Sequence, residues 1–183
     1  MTCVVGLSHK RTVYIGADSL GCSGDFTILR SDRKVFRNGP YTMGICGSYR
    51  MGNVLQHYTL PEPPMRNGVF RFMCCEFVDA VREAFARAGI RKKENEVEQG
   101  HSFVVGFGCN LFFVDGDFQV GVNSSGFIAI GSGLEIATGS LWATRKLKMK
   151  PEQRIREAIL AAAEFNSGVR GPVHVMRAIG GAK

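Results

Sequence analysis

The sequence of 183 residues has no long apolar run. A membrane-spanning helix needs about 18 or more consecutive apolar residues, and no segment here provides them. The first residues also lack the basic segment, apolar stretch and small-residue cleavage site that make a secretory signal. We therefore expect no membrane partner and a cytoplasmic protein that stays in the reducing compartment of a cell or a virus-infected cell.

The sequence also lacks the cysteine and histidine patterns of metal sites and catalytic triads. Its cysteines form no C-x-x-C and no Cys/His pair at ligand spacing, which argues against a zinc site and a disulfide framework. The histidines share no spacing with a serine or cysteine that would favour a triad, and no nucleophile elbow is present. We expect reduced thiols, no bound metal and no cofactor. The cysteines are Cys3, Cys22, Cys46, Cys74, Cys75 and Cys109.

Positive charge is in excess, since 23 lysines and arginines stand against 16 aspartates and glutamates, a formal net charge of +7. Two basic runs, at 91–93 and 145–150, could suggest nucleic acid. Neither run is interleaved with stacking aromatic residues, and no DNA- or RNA-binding signature accompanies them. The runs therefore favour a solvated helix face or an interface with an acidic partner over a nucleic-acid site.

The composition is that of a packed protein, with 45% hydrophobic residues, 23 glycines and 6 prolines. A chain of this length can form a single hydrophobic core. No internal repeat, low-complexity tract or linker divides the chain. The sequence therefore predicts a single domain over residues 1–183.

Hydrophobic periodicity predicts strands, two helices, strands, two helices and a last strand. Polar connections are expected at Gly21–Asp25 and at Arg91–Gly100. In the second helix, apolar residues at three- and four-residue intervals, including Phe70 and Cys74, predict one core-facing stripe. The predicted strands are 3–8, 12–17, 34–36, 41–46, 103–107, 111–114, 118–122, 127–130 and 173–179, and the predicted helices are 49–58, 70–88, 134–146 and 152–165.

This order of elements favours an α+β fold in which two antiparallel sheets stack face to face and helices cover each outer side. Such a fold is a four-layer αββα sandwich. Composition and periodicity alone are also compatible with other α+β arrangements.

Thr2 is the most informative residue for function. If Met1 is removed, Thr2 carries a hydroxyl nucleophile and a free α-amine on one residue, so nucleophile and general base come together. Threonine is common at this position, so the assignment of Thr2 as a nucleophile depends on the residues that accompany it. Cys3 should point to the opposite face of the same strand and is interpreted as core, because side chains alternate along a strand.

Six segments, in this order along nearly the whole chain, resemble the successive motifs of proteasome β-subunits and the bacterial peptidase HslV, which are N-terminal-nucleophile hydrolases. Sixteen residues separate Thr2 from Asp18, and sixteen separate Asp18 from Lys34, as the pattern of that family requires. The segments are Thr2 and residues 16–19, 33–35, 44–48, 129–133 and 164–168. The resemblance implies the four-layer fold and a threonine peptidase.

The resemblance assigns roles around the nucleophile. Lys34 would stabilise the developing alkoxide of Thr2 and keep its amine neutral. Asp18 would orient Lys34 through a charge-assisted hydrogen bond. The Gly47 N–H would be the oxyanion donor. Read without the resemblance, Lys34 is a surface strand lysine, Asp18 a strand-end cap and Gly47 a turn glycine.

Further residues are expected around this centre. The resemblance implies that Ser132 and Ser167 hydrogen-bond the Thr2 amine and its surroundings, although isolated serines beside glycine would be interpreted as helix caps. Ile45 and Ser48, which flank the Gly47 turn, are the expected substrate contacts, with Ile45 favouring apolar side chains. One position departs from the family pattern.

That position is Glu164, where family members carry aspartate in a D-x-x-S-G pattern. The chain reads E-x-x-S-G over residues 164–168. The extra methylene moves the carboxylate by about 1 Å, enough to lower the rate if its position matters. Glu164 is nevertheless expected among the catalytic residues.

Three functions remain open at this point. The first is a threonine peptidase that assembles with itself into six- or seven-membered, possibly stacked, rings around a chamber and receives unfolded polypeptide from an AAA+ unfoldase. ATP would then be used only by that partner. The second is a ring-forming scaffold subunit that retains Met1 and is catalytically silent. The third is an amidase for small amides, which would share Thr2 but not Asp18, Lys34 and Gly47.

Overall fold

The computed structural model describes residues 1–65, 67–94 and 97–179. Its strands are β1 (Val4–His9), β2 (Thr12–Ala17), β3 (Leu20–Ser23), β4 (Phe26–Leu29), β5 (Val35–Asn38), β6 (Tyr41–Ile45), β7 (Lys92–Glu94), β8 (Val97–Gln99), β9 (Phe103–Phe107), β10 (Asn110–Val114), β11 (Val120–Gly121), β12 (Phe127–Ile130) and β13 (His174–Arg177). Its helices are α1 (Tyr49–His57), α2 (Val69–Phe72), α3 (Val78–Arg87), α4 (Leu134–Ala143) and α5 (Pro151–Phe165), with a π-helical turn at Met73–Phe77 between α2 and α3.

Two antiparallel sheets form the centre of the molecule. The first has the strand order β12-β1-β2-β13, and the second has the order β11-β10-β9-β6-β5. Val4 pairs with Ile130 on one side and with Ala17 on the other, which places β1 inside the first sheet. The second sheet is centred on β9, where Val104 lies opposite Gly44.

Helices cover the outer face of each sheet and complete four layers. The expected αββα sandwich of antiparallel sheets is therefore confirmed. Side-chain alternation separates the layers along β1, since Cys3, Val5 and Leu7 pack toward α4 and α5 while Val4 faces the other sheet. The layer under α1 and α3 includes Tyr41, Met43, Met51, Leu55, Phe77, Val81, Phe85 and Phe103.

Local sequence explains where two helices begin. Ser48 is the N-cap of α1, and its hydroxyl accepts a hydrogen bond from the Met51 N–H at 3.3 Å. Pro151 opens α5, where its fixed φ suits a first helical turn and its missing N–H costs nothing. No helix of the described residues is long and apolar enough to cross a membrane.

Glycines let the two sheets approach closely. A Cβ added to Gly44 of β6 would lie 2.5 Å from Val4 Cγ1 and 2.8 Å from Ile15 Cγ2 of the facing sheet. A Cβ added to Gly106 of β9 would lie 2.6 Å from Val13 Cγ1. The space that a methyl group would need is therefore already filled by valine and isoleucine side chains of the first sheet.

We expect Gly44→Ala to lower the free energy of unfolding by about 1–3 kcal/mol, because the new methyl group overpacks the contact between the sheets. Because the overlap involves a side chain, Val4→Ala should relieve part of it. The double variant should then be less destabilised than the sum of the two single variants. Urea unfolding of the four proteins measures this coupling, and strict additivity would contradict the proposed overlap.

Two segments predicted as polar connections contain strands. The Gly21–Asp25 loop is part of a hairpin in which β3 pairs with β4, and Phe26 at its tip is 69% exposed. This hairpin pairs with neither main sheet, so its strands lack the buried alternation by which strands are identified. Within Arg91–Gly100, β7 pairs with β8, and residues 95–96 lie outside the described part of the chain.

The predicted core stripe of the second helix is partly wrong. Phe70 is 53% exposed and Cys74 is exposed, whereas Phe72 and Met73 are buried. The π-helical turn at Met73–Phe77 accommodates one extra residue and rotates the preceding turn relative to α3. A constant period of 3.6 residues, extrapolated backward from α3, therefore assigns Cys74 and Phe70 to the wrong face.

Candidate active site

Thr2 lies two residues before β1 and is buried, with 3% of its surface exposed. Lys34, which precedes β5 in the second sheet, extends its side chain to Thr2. Its Nζ donates hydrogen bonds to Thr2 Oγ1 at 2.9 Å and to Asp18 Oδ1 at 2.9 Å. The lysine and aspartate side chains are only 2% and 0% exposed, so the three groups form one buried polar cluster.

Asp18 follows the end of β2 and is held by backbone donors on three sides. Its Oδ1 accepts from the Cys3 N–H at 3.0 Å, and its Oδ2 accepts from the N–H groups of Leu20 at 3.0 Å and Arg170 at 3.3 Å. A buried charge is tolerated when it is paired and its remaining acceptor positions are used. Asp18 therefore fixes Lys34 and ties the segment after α5 to the start of β1.

The turn after β12 surrounds the backbone of Thr2. The Thr2 N–H donates to Ser132 Oγ at 3.2 Å, and Thr2 O accepts from the Gly133 N–H at 3.2 Å. Gly131 has φ +94°, and a Cβ on it would overlap Thr2 O and lie 2.9 Å from Thr2 C. Only glycine combines this conformation with such a close approach. The turn thus places the Ser132 hydroxyl at the Thr2 nitrogen.

Met1 is peptide-bonded to Thr2 in this structure, so the Thr2 nitrogen is an amide and cannot act as a base. The Thr2 hydroxyl donates to Met1 O. The Met1 side chain lies against Gly168, where an added Cβ would be 2.6 Å from Met1 Cβ and 2.8 Å from its sulfur. Met1 therefore lies against both Thr2 and Gly168, although 57% of its own surface is exposed.

Gly47 forms the turn between β6 and α1, with φ +90°. Its N–H donates to no acceptor within the part of the chain that the structure describes, so it is available to a ligand. Cys46, the residue before Gly47, lies near the turn that surrounds Thr2, because its sulfur would lie 3.2 Å from a Cβ on Gly131.

Two thiols lie close to the cluster. Burial raises the pKa of Cys3 to about 12, and the negative charge of Asp18 acts in the same direction. Burial also raises the pKa of Cys46. Because the thiolate is the reactive form, neither cysteine is activated as a nucleophile. The interpretation of Cys3 as a core residue agrees with its complete burial.

An aromatic and basic pair beside Lys34 was not predicted. The Arg30 guanidinium lies 3.8 Å from the centre of the Tyr49 ring, and Lys34 Nζ lies 6.0 Å from the same ring. Asp32 holds the guanidinium through hydrogen bonds of 2.8 Å from Nε and 2.6 Å from Nη2. Burial raises the pKa of Tyr49 to about 12, so the ring stays neutral. Arg30 and Tyr49 therefore lie against the cluster on the side of Lys34.

Three expected residues lie outside the hydrogen-bonded cluster. Ile45 is 3% exposed and its side chain packs against Gly52 in the layer below α1, so it presents almost no surface to a substrate. Glu164 and Ser167 are exposed, and neither hydrogen-bonds Thr2. Glu164 lies two residues beyond the buried Ala162, which places it on the solvent side of the last turn of α5. The substrate contact of Ile45 and the catalytic roles of Glu164 and Ser167 stay predictions.

Asn166, next to Ser167, makes hydrogen bonds to the turn that surrounds Thr2. Its Nδ2 donates to Ser132 O at 2.7 Å, and its Oδ1 accepts from the Gly168 N–H at 2.9 Å. Asn166 thus connects the end of α5 to the turn that holds the Thr2 nitrogen. It lies inside the E-x-x-S-G segment. Its side-chain amide, which can both donate and accept hydrogen bonds, is the sequence feature that could have identified it. No group of three or more His, Cys, Asp or Glu side chains among the described residues could hold a metal ion.

Comparison with protein-family models and with curated proteins gave no match. Among solved structures, the chain resembles Thiobacillus denitrificans BPH, with 24% identity over 98% of each chain and a TM-score of 0.82. The same BPH in complex with epoxomicin matches with 23% identity, 99% and 100% coverage and a TM-score of 0.82. Eukaryotic HslV from Trypanosoma brucei matches with 19% identity, 96% and 98% coverage and a TM-score of 0.69. The chain therefore shares the four-layer fold of BPH and HslV.

Proposed function

We propose that this chain is the threonine peptidase subunit of a self-compartmentalising ring protease and that it acts after removal of Met1. The observation that carries the proposal is the buried cluster in which Lys34 Nζ lies 2.9 Å from both Thr2 Oγ1 and Asp18 Oδ1. Asp18 compensates the burial of Lys34, and the second hydrogen bond directs the ammonium charge at the Thr2 hydroxyl. A developing alkoxide would benefit.

The chemistry follows from the positions of these groups. Once Met1 is lost, the Thr2 nitrogen becomes a free amine, and such an amine ordinarily has a pKa of about 7.7. It accepts the hydroxyl proton, directly or through a water molecule. Thr2 Oγ1 then attacks the peptide carbonyl, the leaving amine takes up a proton, and water hydrolyses the acyl-enzyme.

Two positioned groups lower the barrier. Lys34 stabilises the developing charge on Thr2 Oγ1 and, by repulsion, keeps the new amine neutral. The free N–H of Gly47 receives the oxyanion of the tetrahedral intermediate, a contribution of about 3 kcal/mol for one such donor. Ser132 holds the amine through the hydrogen bond that its hydroxyl already makes to the Thr2 nitrogen. No bound metal or cofactor is required for any of these steps.

The proposed assembly is a ring of six or seven copies, possibly stacked, with Thr2 facing an enclosed chamber. Confinement would supply the selectivity that a broad cleft lacks, and an AAA+ unfoldase would deliver unfolded polypeptide. Support comes from the fold shared with HslV. We expect this assembly in the cytoplasm, with ATP consumed only by the partner.

A catalytically silent scaffold is the second candidate, because the fold accommodates Met1. The Met1 side chain lies against Gly168, and the Met1 carbonyl accepts a hydrogen bond from the Thr2 hydroxyl, so the fold can accommodate a retained Met1. Retention would leave an amide where the peptidase needs an amine. The two candidates therefore differ in whether the peptide bond between Met1 and Thr2 is cleaved.

We expect intact-mass spectrometry of the purified protein to show loss of one methionine and the processed protein to cleave fluorogenic peptides. Thr2→Ala should abolish cleavage while native mass spectrometry shows the same assembly. Cleavage at the full rate in that variant would disprove the role of Thr2. An intact Met1 without cleavage would support the scaffold, and hydrolysis of a small amide without peptide cleavage would support an amidase.

A further inference from the structure

His101 lies against the proposed oxyanion donor. A Cβ added to Gly47 would be 2.7 Å from Nδ1, 3.0 Å from Cγ and 3.3 Å from Cβ of His101. The edge of the imidazole therefore occupies the space beside the Gly47 Cα that a side chain would otherwise fill. His101 itself is exposed, and it has no part in the cluster of Thr2, Lys34 and Asp18.

The backbone on both sides of His101 is fixed. The Cys46 N–H donates to Ser102 O at 3.2 Å, which continues the pairing of β6 with β9 up to the Gly47 turn. The Gly100 N–H donates to Gly116 O at 2.7 Å. The Ser102 hydroxyl donates to Asp115 Oδ1 at 2.7 Å. These hydrogen bonds hold the backbone around His101, and so they fix the position of its exposed side chain beside Gly47.

Gly47 needs such a restraint. Glycine populates negative and positive φ about equally, and the Gly47 N–H makes no hydrogen bond within the described residues that would hold its peptide at φ +90°. An oxyanion donor contributes fully only when it is oriented before the charge develops. A ring packed on one side of the Gly47 Cα removes alternative conformations of the turn.

We propose that His101 is a positioning residue that holds the Gly47 peptide in the conformation required of the oxyanion donor. This inference rests on the proposed peptidase function. The role belongs to the planar ring and its packing, because the imidazole has no hydrogen-bond partner among the described residues. It adds a residue outside the six segments that resemble the proteasome-like motifs.

The test compares peptide cleavage by processed wild type, His101→Ala, His101→Phe and the control His57→Ala, which changes an exposed histidine at the far end of α1. We expect His101→Ala to lower kcat by about tenfold, part of the roughly 10²-fold that one oxyanion donor supplies. KM should change less than about twofold, because ground-state binding is untouched. His101→Phe should restore most of kcat, and His57→Ala should match wild type.

Other outcomes overturn the inference. An unchanged kcat in His101→Ala contradicts it, as does a rise in KM alone, which would indicate a substrate contact. An equal loss in His101→Phe would assign the effect to the nitrogen atoms instead of the packed ring. A lower thermal midpoint that accompanies the loss would assign a structural role. Thr2→Ala separates the two proposals: if it cleaves like wild type, the peptidase function fails, whereas its inactivity beside a fully active His101→Ala rejects only the role of His101.

Discussion

Replacing Lys34 by alanine is expected to abolish peptide cleavage and to lower the free energy of unfolding by about 3–5 kcal/mol. The variant leaves Asp18 buried with three backbone donors but without its countercharge. Breaking a buried pair by removing one partner is costly because the remaining charge is uncompensated. Urea unfolding measures the stability, and a fluorogenic peptide measures the activity.

A matched control is the exposed pair of Arg87 and Glu83 on α3, whose side chains are 68% and 54% exposed. Arg87→Ala should change the free energy of unfolding by less than about 0.5 kcal/mol. Replacing Lys34 and Asp18 together by apolar residues should recover part of the stability and none of the activity. If Lys34→Ala were as stable as Arg87→Ala, Asp18 and Lys34 would not form the buried pair described above.

Gly131→Ala is expected to inactivate the protein without altering any reacting group. The new Cβ would overlap Thr2 O, and the residue would have to adopt φ +94°. The left-handed conformation and the overlap with backbone together should cost about 2–5 kcal/mol of stability. Because the overlap is relieved only by moving Thr2, cleavage should fall by about 10²-fold, the loss expected from a displacement of roughly 1 Å.

Two glycines provide controls for Gly131→Ala. Gly39 has φ +53° and open space around a Cβ, so Gly39→Ala measures the conformational cost alone, about 1–2 kcal/mol. Gly139 lies inside α4 with open space, and Gly139→Ala should stabilise the protein by about 0.5–1 kcal/mol. Both controls should keep full activity. A Gly131→Ala variant that behaved like Gly39→Ala would show that Thr2 is not confined by this turn.

The buried cluster was predicted from the resemblance, because residue type and spacing alone would make Lys34 a surface lysine and Asp18 a strand-end cap. Thr2, Asp18 and Lys34 each lie near the boundary of a strand, and the sheets bring these boundaries together. The role of Ser132 was likewise implied by the resemblance, since an isolated serine beside glycine would be interpreted as a helix cap. The four layers followed from the order of the strands and helices once the resemblance had narrowed the choice.

The remaining features depend on contacts between distant segments. Arg30 meets Tyr49 only because the β3–β4 hairpin folds beside the start of α1, and no local pattern indicates this. His101 reaches Gly47 through the pairing of β6 with β9. Asn166 was not predicted, because the resemblance implied a role for the neighbouring Ser167 instead. Local periodicity also failed at Phe70, where the π-helical turn changes the register of the helix.

The interior position of β1 has a consequence for how the protein would lose activity. Thr2 lies beside a strand that is bonded to β12 on one side and to β2 on the other. Amide exchange at Val4 and Val5 should therefore require nearly complete unfolding. Heat should then inactivate the protein in one cooperative step, without an earlier loss of order at its amino terminus.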